Sequence, residues 1–95
     1  MTIETATISA GNTFTNPVTV TDKSFTLSVK GVSDSFSTVT LQRKRVADAV
    51  GAYRDVDEYC EDIEDNGDSI GEWQYRLGCK SDAHVSGAIV VEIEG

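Results

Sequence analysis

Hydrophobic and polar residues alternate along most of this chain, which is the pattern of half-buried β-strands. The clearest run covers residues 24–30, where Phe25, Leu27 and Val29 alternate with polar residues without a break. Further alternating runs lie at 37–42, 72–80 and 88–94, with weaker ones at 2–9, 12–20 and 52–60. Turn-forming residues separate these runs at a spacing typical of sandwiches. We predict an all-β fold, a small antiparallel β-sandwich of about seven strands with immunoglobulin-like or jelly-roll-like connections.

The same pattern assigns a face to most strand residues, because successive side chains of a strand point to opposite sides. In the run 37–42, Val39 and Leu41 are predicted to face the core, while Thr40 and Gln42 face away from it. The predicted core-facing residues of the last two clear runs are Trp73, Tyr75, Leu77, Cys79, Ile89, Val91 and Ile93.

Three segments depart from this regular alternation. Pro17 lies inside the run 12–20 and has no N–H to donate, so this run is predicted to be an edge strand or to break there. Residues 46–50 predict a short helical turn. We interpret 1–95 as one domain, in which residues 1–20 offer few core positions and are interpreted as an assembly arm that adds a strand to a neighbour.

Charge narrows the classes of partner. The 95 residues include 16 acidic and 8 basic ones, for a formal net charge of −8. This charge opposes binding to nucleic acid or to an anionic membrane surface, so we predict neither as a partner. The chain has no run of apolar residues long enough to span a membrane, and its first residues lack the pattern of a signal peptide. We therefore expect either that the chain is made in the cytoplasm or that it is a fragment of a larger protein.

Residues that carry catalysis are sparse. His84 is the sole histidine, and no serine lies in a Gly-x-Ser-x-Gly sequence. The carboxylates cluster in a hydrophilic segment, where nothing would raise a pKa for general-acid chemistry. We predict that the protein is not an enzyme and uses no cofactor.

The most acidic segment suggests a weak calcium site. Nine of the 18 residues at positions 55–72 are Asp or Glu. The part beginning at Asp62 resembles the start of an EF-hand loop, but Trp73 stands where that loop has its bidentate glutamate. The candidate ligands are Asp62, Glu64, Asn66, Asp68 and Glu72. The favoured interpretation is a solvated hairpin tip that joins strands 52–60 and 72–80.

That hairpin makes a prediction about the two cysteines. Cys60 would lie near the loop and Cys79 near the far end of its strand. Several residues of extended chain would separate them, at about 3.3 Å each, whereas a disulfide needs Cα atoms within about 7 Å. We therefore predict two free thiols.

Two groups of residues are candidates for binding a partner. The basic triplet Arg43-Lys44-Arg45 follows the strand at 37–42 and is interpreted as a strand end or as a charged patch that faces an acidic partner. Tyr53 and Tyr59 lie either in the core and its rim or on an exposed face that binds a protein or a sugar.

The second half of the chain resembles a known class of proteins. The segments that carry the resemblance are VTLQR (39–43), YRDV (53–56), WQYRLGCK (73–80) and SGAIVVEI (86–93). They resemble small β-sandwich structural proteins of tailed bacteriophages, which have a "VTLQRS-DGG-TW-DV" strand pair and end in "YRLG-K-G-Y-SG-V-V-L". The resemblance covers residues 24–95. It departs at 44–52, where a longer connection replaces the Asp-Gly-Gly turn.

The resemblance implies a function. It implies a non-enzymatic virion structural protein, in the first place a capsid decoration or cement protein on the outer surface of the head. Its partners would be the major capsid protein or other virion proteins, with homo-oligomers in the particle. One alternative is a head–tail connector or tail component. Another is a calcium- or carbohydrate-binding β-sandwich module that uses the acidic segment and the two tyrosines.

Overall fold

Two antiparallel sheets pack face to face in this protein. The architecture is seen in a computed structural model that describes residues 2–33 and 36–95. The strands of this part of the chain are β1 (Ile3–Ile8), β2 (Thr13–Phe14), β3 (Val18–Thr21), β4 (Ser24–Lys30), β5 (Val39–Arg45), β6 (Arg54–Tyr59), β7 (Ile63–Asp68), β8 (Glu72–Cys79) and β9 (Ile89–Glu94). The four-stranded sheet has the order β1-β9-β4-β7. The five-stranded sheet has the order β2-β8-β5-β6, and β3 also pairs with β8. The predicted all-β sandwich is confirmed.

The core lies between the sheets and follows the period of two. Along β4, Phe25, Leu27 and Val29 are buried, and this strand has the predicted bounds. The inward residues of β5, β8 and β9 are buried as predicted, except Trp73, which is partly exposed. Thr40 and Gln42 face away from the core as predicted, but they too are buried. No helix in the described ranges is long and apolar enough to cross a membrane.

The run 12–20 breaks at Pro17, as predicted. Both parts pair with the same edge of β8, through Phe14↔Gly78 in β2 and Val18↔Tyr75 in β3. Thr15 keeps the intervening segment in place, because its N–H donates to the Leu77 carbonyl at 2.9 Å and its hydroxyl accepts from the Leu77 N–H at 3.2 Å.

The predicted hairpin between 52–60 and 72–80 is wrong. β5 lies between β6 and β8, so these two strands do not pair. The acidic segment between them is not a loop tip, since it contains β7, which pairs with β4 from Val29↔Ile63 to Ser24↔Asp68. The acidic side chains hid this strand, because only one of its six residues, Ile63, has a large apolar side chain.

The two free thiols are confirmed, for a different reason. Cys60 is exposed and Cys79 is buried. Because β5 lies between their strands, the two backbones are two strand spacings apart, about 9.5 Å. This exceeds the reach of a disulfide of about 7 Å. Burial also raises the pKa of the Cys79 thiol.

The helical turn lies slightly later than predicted. Residues 46–50 begin with a hydrogen-bonded turn, in which the Asp48 N–H donates to the Arg45 carbonyl at 3.0 Å. A 3-10 turn follows at Val50–Ala52.

The first strand is part of the chain's own sheet. β1 pairs with β9 through six residue pairs, from Ile3↔Glu94 to Ile8↔Ile89. Thr2 and Gly95 extend this ladder by exchanging two backbone hydrogen bonds of 2.8 and 2.9 Å. The assembly arm at 1–20 stays a prediction, and arm exchange would have to replace this internal pairing.

Candidate functional site

A tryptophan between two arginines forms the most distinctive surface of the molecule. Arg45 is paired with Trp73 across β5 and β8, and Arg43 lies two residues earlier on the same face of β5. Their guanidinium carbons lie 4.0 Å (Arg43) and 3.8 Å (Arg45) from the centre of the Trp73 ring. The indole N–H donates to the Ile70 carbonyl at 3.0 Å, which fixes the ring between the two cations.

A third arginine adjoins this pair. Arg54 is the β6 partner of Arg43, so its side chain leaves the sheet on the same side. We call Arg43, Arg45, Arg54 and Trp73 the arginine cluster. It lines a groove of about 460 Å³ together with Lys44, Asp48, Ala52, Asp55 and Val56. The groove thus combines cationic and aromatic surface at the end of the five-stranded sheet.

The guanidiniums of the cluster form no close ion pair within the part of the chain that the structure describes, although Asp48 and Asp55 line the same groove. Among residues 2–33 and 36–95, the ion pair within 4.0 Å joins Lys80 to Asp55, and none involves the three arginines. Stacking on an indole uses the face of a guanidinium and leaves its N–H donors at the edge free. The cluster therefore presents several donors in a molecule whose net charge is −8.

Lys44 does not belong to the accessible part of this surface. It lies between the two arginines in sequence, so its side chain leaves the opposite face of β5. It is buried, and its ammonium donates to the carbonyls of Arg45, Val46 and Asp48 at 3.2, 3.4 and 3.1 Å. The predicted basic triplet thus divides into two surface cations and one that holds the following loop.

Tyr53 forms part of a second layer, on the outer face of the five-stranded sheet. The Arg76 guanidinium lies between two rings, 4.0 Å from that of Tyr53 and 4.1 Å from that of Phe14. Arg76 also donates to the side-chain oxygen of Gln42, which in turn donates to Asp55, each at 2.9 Å. This layer explains the burial of Gln42. The hydrogen bonds from Lys80 and Gln42 lower the pKa of Asp55.

Tyr59 lies in the core, which is one of the two positions that the sequence left open. It is 7% exposed, and its hydroxyl donates to the Asp65 carboxylate at 3.2 Å. Burial, together with the neighbouring Asp57 and Asp65, raises the pKa of this tyrosine well above its usual value. Tyr59 joins the two sheets and does not offer a binding surface.

The calcium candidates are spread along the fold. Glu64, Asn66 and Asp68 occupy alternate positions of β7, and Glu72 lies on β8 in the other sheet. Asp62 accepts hydrogen bonds from the N–H groups of Val32 and Ser33 at 2.9 and 3.1 Å. Backbone hydrogen bonds of this kind, that from Gly31 first, lower the pKa of Asp62.

A strand holds alternate ligands too far apart to surround one ion, since they repeat every 6–7 Å or so. In the described part of the chain, no three of His, Cys, Asp and Glu are grouped so as to hold a metal. Calcium binding therefore stays a prediction that the arrangement of these side chains does not support.

Sequence reasoning identified part of this site. It selected Arg43 and Arg45, whose spacing of two places them on one face of a strand. The alternation predicts Trp73 in the core, and no sequence pattern marks Arg54 as a binding residue. Trp73 lies at the start of the strand run 72–80. A residue at the end of a strand can extend past the opposite sheet, and this explains why Trp73 is partly exposed although it faces the core side.

Comparison of the chain with protein-family models, with curated proteins and with solved structures finds no match in any of the three.

Proposed function

We propose that this chain is a non-enzymatic virion structural protein, a capsid decoration protein that binds the outer surface of a tailed-phage head. The observation that carries the binding role is the arginine cluster, in which two guanidiniums stack on one partly exposed tryptophan and a third arginine, Arg54, lies beside them on the next strand. The resemblance of residues 24–95 to phage structural proteins supports the proposal that the partner is a virion protein.

The chemistry of the cluster suits an acidic protein surface. Arginine and tryptophan are the residues enriched at the energetic centres of protein interfaces. A guanidinium forms paired hydrogen bonds with a carboxylate, which gives geometric specificity as well as energy. Nucleic acid is a poorer candidate, because the strands of the four-stranded sheet carry six carboxylates and one lysine and would repel phosphates.

Co-sedimentation with phage capsids that lack this protein tests the proposal. We expect the purified protein to saturate the shells at many copies per particle. The double variant Arg43→Glu and Arg45→Glu is expected to lose this binding. The control, Lys23→Glu with Lys30→Glu, makes the same change in charge at exposed positions outside the cluster and should bind like the unmodified protein.

Three results would overturn the proposal in distinguishable ways. Binding to connectors or tails without binding to shells would replace decoration with the connector or tail alternative. Shell binding that survives the arginine double variant would remove the role of the cluster. Failure to bind any part of the virion would reject the virion function.

A further inference from the structure

The free edge of β1 differs from the other three edges of the sandwich. β7 carries three carboxylates among its six residues, and β6 has four charged residues and a bulge opposite Leu41 and Gln42. The β2–β3 edge is short and broken before Pro17. These are the features by which natural sheets avoid pairing with other chains. β1 has no proline, no bulge and no charged side chain on its outer face. Its sole charged residue, Glu4, faces the core side and accepts a hydrogen bond from Asn16, so it is the one protective feature of this edge.

The hydrogen bonds at the end of the ladder show which backbone groups of β1 are free. Thr2 and Gly95 exchange both of their hydrogen bonds. In an antiparallel pair, such residues alternate with residues whose groups point away from the partner strand. The N–H and C=O groups of Ile3, Thr5 and Thr7 therefore point away from β9, toward the open edge of the sheet. Their side chains are all exposed, and that of Ile3 is 51% exposed.

We propose that a second copy of this chain pairs with β1, so that two four-stranded sheets join into one continuous eight-stranded sheet. Most dimers have two-fold symmetry. A two-fold axis perpendicular to the sheet would place the two β1 strands side by side and antiparallel. The outward N–H and C=O groups of Ile3, Thr5 and Thr7 in one copy then form hydrogen bonds with the same three residues of the second copy. This inference concerns self-association and does not depend on the proposed virion function.

The sequence of β1 selects one register. With Thr5 opposite Thr5 of the second copy, Ile3 pairs with Thr7 at both ends, and all three free residues of each strand are used. Glu4 then lies opposite Ala6. A shift of the second copy by two residues in one direction would put Glu4 opposite Glu4, which repels. A shift in the other direction would leave Ile3 without a free residue of β1 to pair with.

A disulfide can report this register. In the background of Cys60→Ser, which removes the exposed thiol, we expect Thr5→Cys to form a cross-linked dimer on mild oxidation. The two Cα atoms of a hydrogen-bonded antiparallel pair are about 5.5 Å apart, within the range for a disulfide. Ile3→Cys alone and Thr7→Cys alone should form no cross-link, whereas a mixture of the two should cross-link. Equal cross-linking of all three single variants, or none in the Thr5 variant, would overturn the register.

Sedimentation velocity and light scattering test the association itself. Over a concentration series into the millimolar range, we expect the mass to rise from 10.2 kDa to twice that value. Thr5→Pro removes an outward N–H from each copy without affecting a β1–β9 hydrogen bond, so it should raise the dissociation constant by about tenfold or more.

Circular dichroism of the Thr5→Pro variant must match that of the unmodified protein, which shows that the fold is kept. If the variant is misfolded, the cross-linking series decides. A chain that is monomeric throughout the concentration series, or a folded Thr5→Pro variant that dimerises as well as the unmodified protein, would overturn the proposal.

Discussion

Arg43, Lys44 and Arg45 are consecutive cations with different roles. The strand sends Arg43 and Arg45 to the side of Trp73 and Lys44 to the opposite side, where the loop after β5 covers it. The loop carbonyls that meet Lys44 would otherwise need other donors, since buried polar groups must be paired. A substitution of Lys44 is therefore expected to lower stability, whereas substitutions of Arg43 or Arg45 are expected to weaken partner binding.

The structural role of Lys44 predicts a specific loss. Lys44→Met keeps an unbranched apolar chain but removes the ammonium that three carbonyls accept. We expect the free energy of unfolding, measured with urea, to fall by about 2 kcal/mol, since hydrogen bonds to charged groups are among the stronger ones. Lys30→Met, at an exposed position of β4, should change it by less than about 0.5 kcal/mol. Equal effects of the two substitutions would contradict this role.

Tyr59 predicts a loss of stability at high pH. Its pKa is raised above the usual 10.0, chiefly by burial, because the folded protein favours the neutral phenol. The corresponding stabilisation is complete below pH 10 and is lost as the pH rises from there toward the raised value. We expect the unmodified protein to lose stability to urea more steeply above pH 10 than Tyr59→Phe does. Parallel pH profiles of the two proteins would contradict this prediction.

At the scale of the element, the close approach of β2 to β8 depends on a glycine. Gly78 is paired with Phe14, and a methyl group built on it would meet the backbone of Thr13 and lie 2.6 Å from the Cα of Phe14. Backbone atoms cannot move aside as a flexible side chain can. The interrupted β2–β3 edge therefore requires this glycine on the neighbouring strand.

Gly78→Ala is accordingly expected to be strongly destabilising. Overpacking of this kind costs about 1–3 kcal/mol, and we expect the upper part of that range, measured by urea unfolding. Gly51→Ala is the matched control, because a methyl group there meets nothing within 4 Å. A loss in Gly78→Ala no larger than that in Gly51→Ala would show that β2 does not pack as closely as described.

Some strands could be predicted from the sequence and others could not. β4 and β9 follow from alternation, since their inward residues are apolar. The alternation does not reveal β7, because only Ile63 among its inward positions is a large apolar residue. The other two are Asp65, which accepts a hydrogen bond from Tyr59, and Gly67, which lies beside the Phe25 ring. The arginine cluster was only half found, because it depends on the pairing of β5 with both β6 and β8. Register between strands distant in sequence leaves no local signal.

At the scale of the molecule, charge is divided between the sheets. The strands of the five-stranded sheet carry five cations and four carboxylates. The other sheet is strongly acidic, with six carboxylates and one lysine on its strands. An acidic partner would thus be attracted to one side of the sandwich and repelled from the other. This division gives the protein a preferred orientation as it approaches a partner.

Salt should therefore weaken partner binding through the cluster. We expect the association rate with capsids to fall as NaCl is increased, because screening shortens the range of the attraction. The variant Arg43→Ala with Arg45→Ala should bind more weakly and with a smaller dependence on salt. Lys23→Ala with Lys30→Ala, the control, should keep the salt dependence of the unmodified protein. A salt dependence that is the same in both double variants would contradict this account.

The pairing of β1 with β9 has a consequence for how the protein is made. β1 is synthesised before the other strands of the described ranges, whereas its partner β9 is the last of them. Until β9 is synthesised, β1 therefore lacks its one neighbour in the sheet. Pairings between strands so distant in sequence also form slowly, because the long loop must close first. The order of the strands along the chain thus delays the closure of this sheet and leaves both edges of β1 open to other strands until synthesis reaches β9.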